Sequence, residues 1–225
     1  MIPTPSTSHL SKLDFESVYE PAEDTFALLD ALEADHARLQ GSQLCLEIGS
    51  GSGVVSTFLG SLLAPNSALL LTTDLSLPAC LATYETPQLN SLPTPFDVLQ
   101  TDLYSSLFDR LQRACDVLIF NPPYVPTSYD ELEAARREGV LERAWAGGAD
   151  GMQVTDRLLE IVETLLSDRG LFYLVTIAQN KPRQIIDGLK KKGLHGEVAL
   201  ERRAGGEHLH ILRFSRPATT ETQVA

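Results

Sequence analysis

The chain has 225 residues, 43% of them hydrophobic and 21% charged, which is the composition of a globular protein long enough to bury a core. Its 30 acidic and 18 basic residues give a net charge of −12, which argues against a non-specific nucleic-acid binder, since such proteins neutralise phosphates with positive charge. No apolar run approaches the roughly 20 residues of a membrane span. Three cysteines without a CxxC pair disfavour a structural zinc site.

The two ends of the chain are rich in Ser, Thr and Pro, which predicts a disordered N-terminal segment over residues 1–14 and a disordered tail over 216–225. One domain is predicted between them, over 15–215. The odd cysteine count and the lack of a secretory signal pattern predict a reducing compartment. We therefore expect a cytoplasmic protein, with the nucleus as a further location.

Helix and strand patterns alternate through the first half of the domain. Apolar spacing predicts a first helix in FALLDALEADHARL, then a strand in QLCLEIG and a helix in VVSTFLGSLLA. A second strand in ALLLTTD leads to a weak helix near 77–86 and a third strand in FDVLQTD. A helix in LYSSLFDRLQ and a fourth strand in DVLIFN complete this half.

The second half continues the alternation and then changes it. The sequence predicts one long helix in VTDRLLEIVETLLSD, a fifth strand in GLFYLVTI and a helix in PRQIIDGLKKKG. Two final strands, GEVALERR and EHLHILRF, are separated by a hairpin turn at 204–206. The predicted fold is α/β: a Rossmann-like, mostly parallel, seven-stranded sheet with a C-terminal antiparallel hairpin.

Polar groups follow each of the first four strands, where parallel sheets bind ligands. They are Glu47 with the loop glycines Gly49, Gly51 and Gly53, then Asp74, Asp102, and the run Asn121-Pro122-Pro123-Tyr124. A carboxylate before the glycine loop suits a cationic ligand better than a pyrophosphate, while the next two acids suit a ribose and an adenine. These features predict S-adenosylmethionine as the ligand, although each acid alone is also explained as a helix cap or a surface ion pair.

Several motifs resemble those of a known family. LEIGSGSG, TTD, QTDL and NPPY resemble the ordered motifs of class I S-adenosylmethionine-dependent methyltransferases, and NPPY those that act on planar NH2 nitrogens. VYEPAEDTFALLDAL, AWAGGADG and RGLFYLVT are similar to the HemK-type glutamine methyltransferases, in the eukaryotic and archaeal branch that modifies the class 1 translation release factor. The resemblance covers residues 19–214.

The resemblance implies roles for individual residues. The cofactor would be contacted by Tyr19, Thr25, Glu47, Gly49, Gly51, Asp74, Asp102, Leu103 and Asn121. The substrate, the glutamine of a Gly-Gly-Gln motif, would be held by Asn121, Pro122, Pro123 and Tyr124, of which Asn121, Pro122 and Tyr124 carry catalysis. A small zinc-binding activator subunit would form a heterodimer by adding its sheet to the edge of the third strand.

Other functions remain as alternatives. NPPY also suits N6-adenine methylation of DNA or RNA, although the negative charge disfavours it, and protein-lysine methylation would need a base that the motif does not offer. A silent structural subunit is disfavoured by the intact motifs, and a nicotinamide dehydrogenase by Glu47. His208 and His210 have metal-like spacing without an evident third ligand, so no metal site is expected, and Trp145 lines the substrate entrance or anchors its loop.

Overall fold

The computed structural model describes residues 2–64, 68–127 and 147–217. Within these ranges, seven strands form one sheet: β1 Leu44–Ile48, β2 Leu69–Asp74, β3 Phe96–Gln100, β4 Cys115–Phe120, β5 Leu166–Ile177, β6 His195–Ala204 and β7 Glu207–Ser215. Their order across the sheet is β3-β2-β1-β4-β5-β7-β6. The first five strands are parallel, and β7 pairs antiparallel with both β5 and β6. The predicted α/β fold with its C-terminal hairpin is confirmed.

Two of the described helices precede β1, and the other six connect successive strands. Their bounds are α1 Glu23–Ala34, α2 His36–Leu39, α3 Val54–Leu63, α4 Leu77–Leu89, α5 Phe108–Leu111, α6 Gln153–Leu159, α7 Val162–Leu165 and α8 Pro182–Lys191. Short 3-10 turns occupy Asp14–Glu16 and Ala178–Asn180. None of the helices in the described ranges is long and apolar enough to cross a membrane.

The direction of the strand order reverses between β1 and β4, which are neighbours in the sheet. Chains leaving such neighbouring strands turn to opposite faces of the sheet, so a crevice opens at their carboxyl ends. The glycine loop follows β1 and the NPPY run follows β4. The topology therefore places both motifs at one edge of the sheet.

Two apolar clusters cover the two faces of the sheet. One joins α1 and α3 to residues such as Val117, Ile119 and Tyr173, and the other joins α6, α7 and α8 to Leu118, Phe120 and Phe172. All six residues of β4 are buried. Full burial on both faces explains why β4 reads as a continuous apolar run, since a half-exposed strand would alternate.

Two predicted helices are interrupted in the structure. The first breaks at Asp35, because its carboxylate turns inward to accept hydrogen bonds from Tyr173 Oη, at 2.8 Å, and from Arg213. The long helix predicted in the second half splits into α6 and α7, and its last residues join β5, where Leu166 pairs with Cys115. Both breaks follow from tertiary contacts that local spacing does not encode.

The helix predicted in LYSSLFDRLQ is also shorter than expected, since only Phe108–Leu111 is helical. Leu103, the first residue of the predicted helix, has a φ of +53°. This left-handed conformation is incompatible with a right-handed helix and costs an ordinary residue about 1–2 kcal/mol. The segment after β3 therefore forms turns before α5 begins.

The N-terminal segment lies against the domain, in contrast to its predicted disorder. Ile2 packs against the α1 and α3 cluster, and its backbone N–H donates to Glu33 Oε1 at 2.7 Å. Ser6 exchanges two hydrogen bonds with the Asn90 side chain, at 2.8 and 2.9 Å. Composition indicates disorder only on average, and these few specific contacts hold the segment. Residues 218–225 of the predicted tail lie outside the described ranges, so the domain limits remain a prediction.

Candidate active site

A cavity of about 840 Å³ opens at the carboxyl ends of the parallel strands, a size typical of small-molecule sites. All the residues expected to bind cofactor or substrate line it: Tyr19, Thr25, Glu47, Gly49, Gly51, Asp74, Asp102, Leu103, Asn121, Pro122, Pro123 and Tyr124. The structure thus brings segments from four strand ends and α1 to one place. The role of each residue stays a prediction.

The glycine loop wraps around the first turn of α3. Gly49 and Gly51 have φ values of +69° and +54°, which favour glycine over other residues. The Gly51 N–H donates to Asp74 Oδ2 at 3.0 Å, and the Ser76 N–H donates to Asp74 Oδ1 at 2.8 Å. Burial raises the pKa of Asp74, and these two backbone donors oppose that rise. Asp74 therefore ties the end of β2 to the loop.

Glu47 is a buried carboxylate in the cavity wall, 4% exposed. It accepts hydrogen bonds from the Ser56 backbone N–H, at 3.0 Å, and from the Ser56 hydroxyl. Burial raises the pKa of Glu47 to about 8, although the Ser56 bonds act against the rise. No cation contacts Glu47 among the described residues, so a positively charged ligand in the cavity would stabilise its ionised form.

Asp102 is already engaged by a residue that the sequence did not single out. Arg157, on α6, donates to both Asp102 oxygens, at 3.1 and 2.7 Å, and both side chains line the cavity. The hydrogen bond to Asp102 raises the pKa of Arg157. Each side chain is about half exposed, so the pair contributes little stability and is open to exchange with a ligand. The predicted adenine contact of Asp102 would compete with this pair.

Asp24 is the functional residue that sequence reasoning missed most clearly. It is 3% exposed and accepts from Asn121 Nδ2 at 2.9 Å, from Tyr124 Oη at 3.2 Å, and from Tyr19 Oη at 3.1 Å to each oxygen. The Thr25 backbone N–H adds a bond of 2.7 Å. An acid in the first turn of a helix is normally explained by the helix dipole, so Asp24 gave no separate signal, although it adjoins Thr25 in the quoted motif.

The Asn121 side chain is held at one end only. Its nitrogen donates to Asp24, whereas its Oδ1 atom is buried and has no hydrogen-bond partner among the described residues. Buried acceptors are nearly always paired in folded proteins. Asn121 itself lines the cavity, so an N–H donor from a bound molecule is a candidate partner for this oxygen.

The AGGADG glycines support the NPPY backbone from behind. A Cβ atom at Gly147 would lie 2.3 Å from the Pro123 carbonyl oxygen, and one at Gly151 would lie 2.0 Å from that of Tyr124. Asn180 Nδ2 also donates to the Tyr124 carbonyl, at 2.9 Å. Only glycine permits such close approach. The AGGADG glycines therefore hold the backbone of the NPPY run in position.

The predicted pair of histidines does have a third neighbour, contrary to expectation. Glu201, on β6, lies opposite His210, and the ligand atoms of Glu201, His208 and His210 lie within 4.8 Å of one another. His208 Nε2 and His210 Nε2 lie 3.5 and 3.8 Å from the Glu201 oxygens, and burial lowers the pKa of His210. The expected absence of a metal site stays a prediction, and Trp145 lies outside the described residues.

The donor set of the cavity fits a nucleoside with a positive charge. Glu47 is buried without a cation, Asp74 presents a carboxylate beside the glycine loop, and Leu103 packs in an unusual left-handed conformation where adenine is expected. No basic side chain other than Arg157 lines the cavity within the described ranges, and Arg157 is paired with Asp102. A phosphate-bearing dinucleotide would meet several carboxylates and little positive charge.

Comparisons with known proteins agree with this chemistry. No model of a protein family matches the chain. The human methyltransferase HEMK2 is 49% identical over 213 residues, which cover 95% of this chain and 96% of the relative. The catalytic subunit mtq2 of the eRF1 methyltransferase of Schizosaccharomyces pombe is 43% identical over 229 residues, covering 98% of each chain.

The fold of the chain is also similar to that of a solved methyltransferase structure. The E. cuniculi Mtq2–Trm112 complex, described as responsible for methylating the translation termination factor eRF1, matches with a TM-score of 0.65 and 27% identity. The match covers 89% of this chain and 99% of the solved one. With relatives above 40% identity along nearly their whole lengths, the chain belongs to the HEMK2/Mtq2 family of methyltransferases.

Proposed function

We propose that this chain transfers a methyl group from S-adenosylmethionine to the side-chain nitrogen of glutamine, in the Gly-Gly-Gln motif of the eukaryotic class 1 release factor. It would act as the catalytic subunit of a heterodimer in the cytoplasm. The name of the HEMK2 relative supports a methyltransferase, and the name of the Mtq2 relative supports one that acts on eRF1. Methyltransferase relatives imply a cofactor of the S-adenosylmethionine type.

The unpaired Asn121 oxygen is the observation that carries the proposal. A primary amide presents two N–H donors, and this buried acceptor beside a rigid proline pair would bind one of them. The Pro122 carbonyl is the second proposed acceptor. A substrate without an N–H donor would leave the Asn121 oxygen unsatisfied, at a cost of roughly 1–3 kcal/mol.

Positioning is the main task of these residues, because an amide nitrogen is a poor nucleophile. Its lone pair is delocalised into the carbonyl, and two acceptors on its hydrogens would favour the pyramidal geometry that frees the lone pair. Tyr124, buried beside Asn121, would pack on the flat face of the amide. Orientation of two reactants lowers a barrier by roughly 7–11 kcal/mol in favourable cases.

The cofactor would lie along the glycine loop. When bound, S-adenosylmethionine supplies an electrophilic methyl group on a positively charged sulfur. Glu47 and Gly49 would face its methionine and ribose side, Asp74 its ribose hydroxyls, and Asp102 and Leu103 its adenine. For Asp102 to accept from adenine, the Arg157 pair has to open or share the carboxylate.

The proposed partner is a small zinc-binding activator subunit, docked on β3. That strand ends the sheet, and its residues are only partly buried. Six of the eight exposed large apolar residues in the described ranges lie on the adjoining β2, on α4 or in the loop between them: Leu69, Leu75, Leu77, Leu81, Tyr84 and Leu89. An exposed edge with an apolar flank favours β-augmentation, and the related Mtq2 structure is itself a complex with Trm112.

The test is methyl transfer from labelled S-adenosylmethionine, with the chain co-expressed with the activator subunit. Three acceptors are compared: the release factor with Gly-Gly-Gln, the same factor with that glutamine changed to alanine, and duplex DNA. Label on the intact factor alone is expected. Label on DNA would indicate a base methyltransferase, and equal label on the glutamine-to-alanine factor would indicate another acceptor, such as lysine.

A further inference from the structure

We infer that Asp24 is the positioning residue that turns the Asn121 amide so that its oxygen, not its nitrogen, faces the reacting group. The role rests on the proposed function only for the identity of that group. The juxtaposition itself is a buried carboxylate 2.9 Å from Asn121 Nδ2, with the other end of the same amide buried and unpaired, in a residue that lines the cavity.

An asparagine amide has two ends of similar shape and opposite hydrogen-bonding character. Rotated by half a turn, Asn121 would present an NH2 group to the cavity, and a substrate nitrogen that also carries hydrogens would then meet a donor. A carboxylate only accepts hydrogen bonds. With Asp24 ionised, the rotated amide would set two oxygens against each other, so the carboxylate selects the orientation in which Asn121 accepts from the substrate.

The Asp24 carboxylate is itself fixed by hydrogen bonds, so it favours one orientation of the Asn121 amide. The Thr25 backbone N–H donates to its Oδ1 atom at 2.7 Å, while Asn121 Nδ2 donates to Oδ2. The hydroxyls of Tyr19 and Tyr124 complete the set, at 3.1 and 3.2 Å. Burial, followed by the charge of Asp24, raises the pKa of both tyrosines, so both remain protonated donors at neutral pH.

The substitution Asp24→Asn tests the inference because it changes hydrogen-bonding character with little change in shape. The new side chain has one oxygen for two N–H donors on opposite sides. If its oxygen accepts from the Thr25 N–H, its NH2 group faces Asn121, whose amide then turns and presents a donor to the cavity. If it instead accepts from Asn121, its NH2 group faces the Thr25 N–H, and the helix start is disturbed.

We expect Asp24→Asn, in the heterodimer, to lower kcat about 100-fold, with the Kd for S-adenosylmethionine changed less than threefold. A double-mutant cycle with Asn121→Ala separates positioning from direct catalysis. If Asp24 acts through Asn121, adding Asp24→Asn to the Asn121→Ala enzyme lowers kcat no further. A similar loss in both backgrounds would overturn the inference and make Asp24 an independent catalytic group.

A second readout needs neither turnover nor acceptor. In ¹⁵N-edited NMR spectra, the side-chain NH2 pair that vanishes in Asn121→Ala belongs to Asn121. Bonded to a buried carboxylate, it should exchange slowly with water, and Asp24→Asn should shift it and speed its exchange. An unchanged NH2 pair in Asp24→Asn would overturn the inference, whereas a methyl acceptor other than glutamine would overturn only the proposed function.

Asp35 supplies the matched control. It is also a buried aspartate of the α1 region, and it accepts from Tyr173 and Arg213 far from the NPPY run in sequence. Asp35→Asn should lower the unfolding temperature yet leave kcat within twofold and the Asn121 NH2 signal in place. An effect on kcat as large as that of Asp24→Asn would mean that general loosening of α1, and not orientation of Asn121, causes the defect.

Discussion

Asn121 combines two properties at the scale of the single residue: its nitrogen is fixed by Asp24, and its oxygen is buried without a partner. Such an oxygen destabilises the resting protein by roughly 1–3 kcal/mol. A hydrogen-bond donor from a bound substrate would remove that penalty. Asn121 would therefore stabilise the complex with substrate although it destabilises the free protein.

Asn121→Ala should lower turnover by a factor on the order of 100–1,000, to a residual rate that single-turnover assays still quantify, while leaving cofactor binding largely intact, because it removes the oriented acceptor but not the glycine loop or the carboxylates. The measurement pairs a methyl-transfer assay with calorimetric titration of S-adenosylmethionine. Near-normal turnover in this variant would contradict the acceptor role. A Kd weakened more than tenfold would instead indicate that Asn121 chiefly binds the cofactor.

Glu47 should make the stability of the ligand-free protein depend on pH. Burial raises its pKa from an ordinary 4.5 to about 8, so the native state holds a proton that the unfolded state has lost between these values. Stability contributed by this group therefore falls as pH rises from about 4.5 to about 8. Glu47→Gln cannot ionise, and its free energy of unfolding should fall less over this window.

Urea unfolding at pH 5, 6.5 and 8 gives the free energy of unfolding of wild type and of Glu47→Gln. The difference between the two proteins cancels the titration of all other groups. The free energy of unfolding of Glu47→Gln minus that of wild type should increase with pH. Binding of S-adenosylmethionine should show the converse trend, with wild-type affinity rising toward pH 8 as Glu47 ionises. Parallel stability curves for the two proteins would mean that Glu47 titrates normally.

At the scale of elements, the turn formed by Gly147 to Gly151 and the NPPY run behave as one unit. The Gly147 N–H donates to the Val125 carbonyl at 3.0 Å, and the Thr127 N–H donates to the Gly148 carbonyl at 2.8 Å. The NPPY run is thus braced on a second loop, in addition to its own two prolines. Rigidity at this edge is a property of the pair of loops.

Gly151→Ala should therefore damage both stability and turnover. Its Cβ would lie 2.0 Å from the Tyr124 carbonyl oxygen, at a φ of +73°, and overpacking with backbone strain costs about 2–5 kcal/mol together. Gly188→Ala is the matched control, since a Cβ there meets nothing within 4 Å inside α8. We expect the control to gain about 0.5–1 kcal/mol.

Chemical denaturation and kcat of the two variants decide this prediction. The specific result expected is a lower unfolding midpoint and a lower kcat in Gly151→Ala, with normal kcat in Gly188→Ala. Equal behaviour of the two alanine variants would contradict the bracing role.

Sequence reasoning succeeded where a residue acts through its place in a strand and failed where it acts through a distant contact. Glu47, Asp74 and Asn121 follow buried strands, and parallel topology alone brings them together. The Asp35 helix break depends on Tyr173, which is 138 residues away. The spacing of apolar residues near Asp35 does not predict that contact. The contact between Arg157 and Asp102 also joins residues distant in sequence, and local spacing does not predict it either.

For the whole molecule, the two edges of the sheet are unequal. Within the described ranges, the β3 edge is flanked by most of the exposed large apolar side chains, whereas β6 carries one, Val198, at 37% exposure. Exposed apolar surface at a sheet edge promotes association. We expect the isolated chain to be poorly soluble despite its charge of −12, and to become soluble when the activator subunit covers β3.

Leu81→Glu tests this prediction, because Leu81 is 56% exposed on α4 beside β3. The variant should fail to co-purify with the activator subunit and should be more soluble than wild type when expressed alone. Val198→Glu, at the opposite edge, should still bind the subunit. Retention of the partner by Leu81→Glu would move the docking surface away from α4, and high solubility with full activity of the wild-type monomer would contradict the need for a partner.

The single oriented oxygen of Asn121 also has a consequence for the end of the catalytic cycle. Methylation followed by loss of a proton leaves the glutamine nitrogen with one hydrogen in place of two. One acceptor of the pair then loses its donor, a loss of roughly 1–3 kcal/mol that weakens product binding about 5- to 150-fold. The same geometry that aims the amide would thus speed product release and disfavour a second methylation.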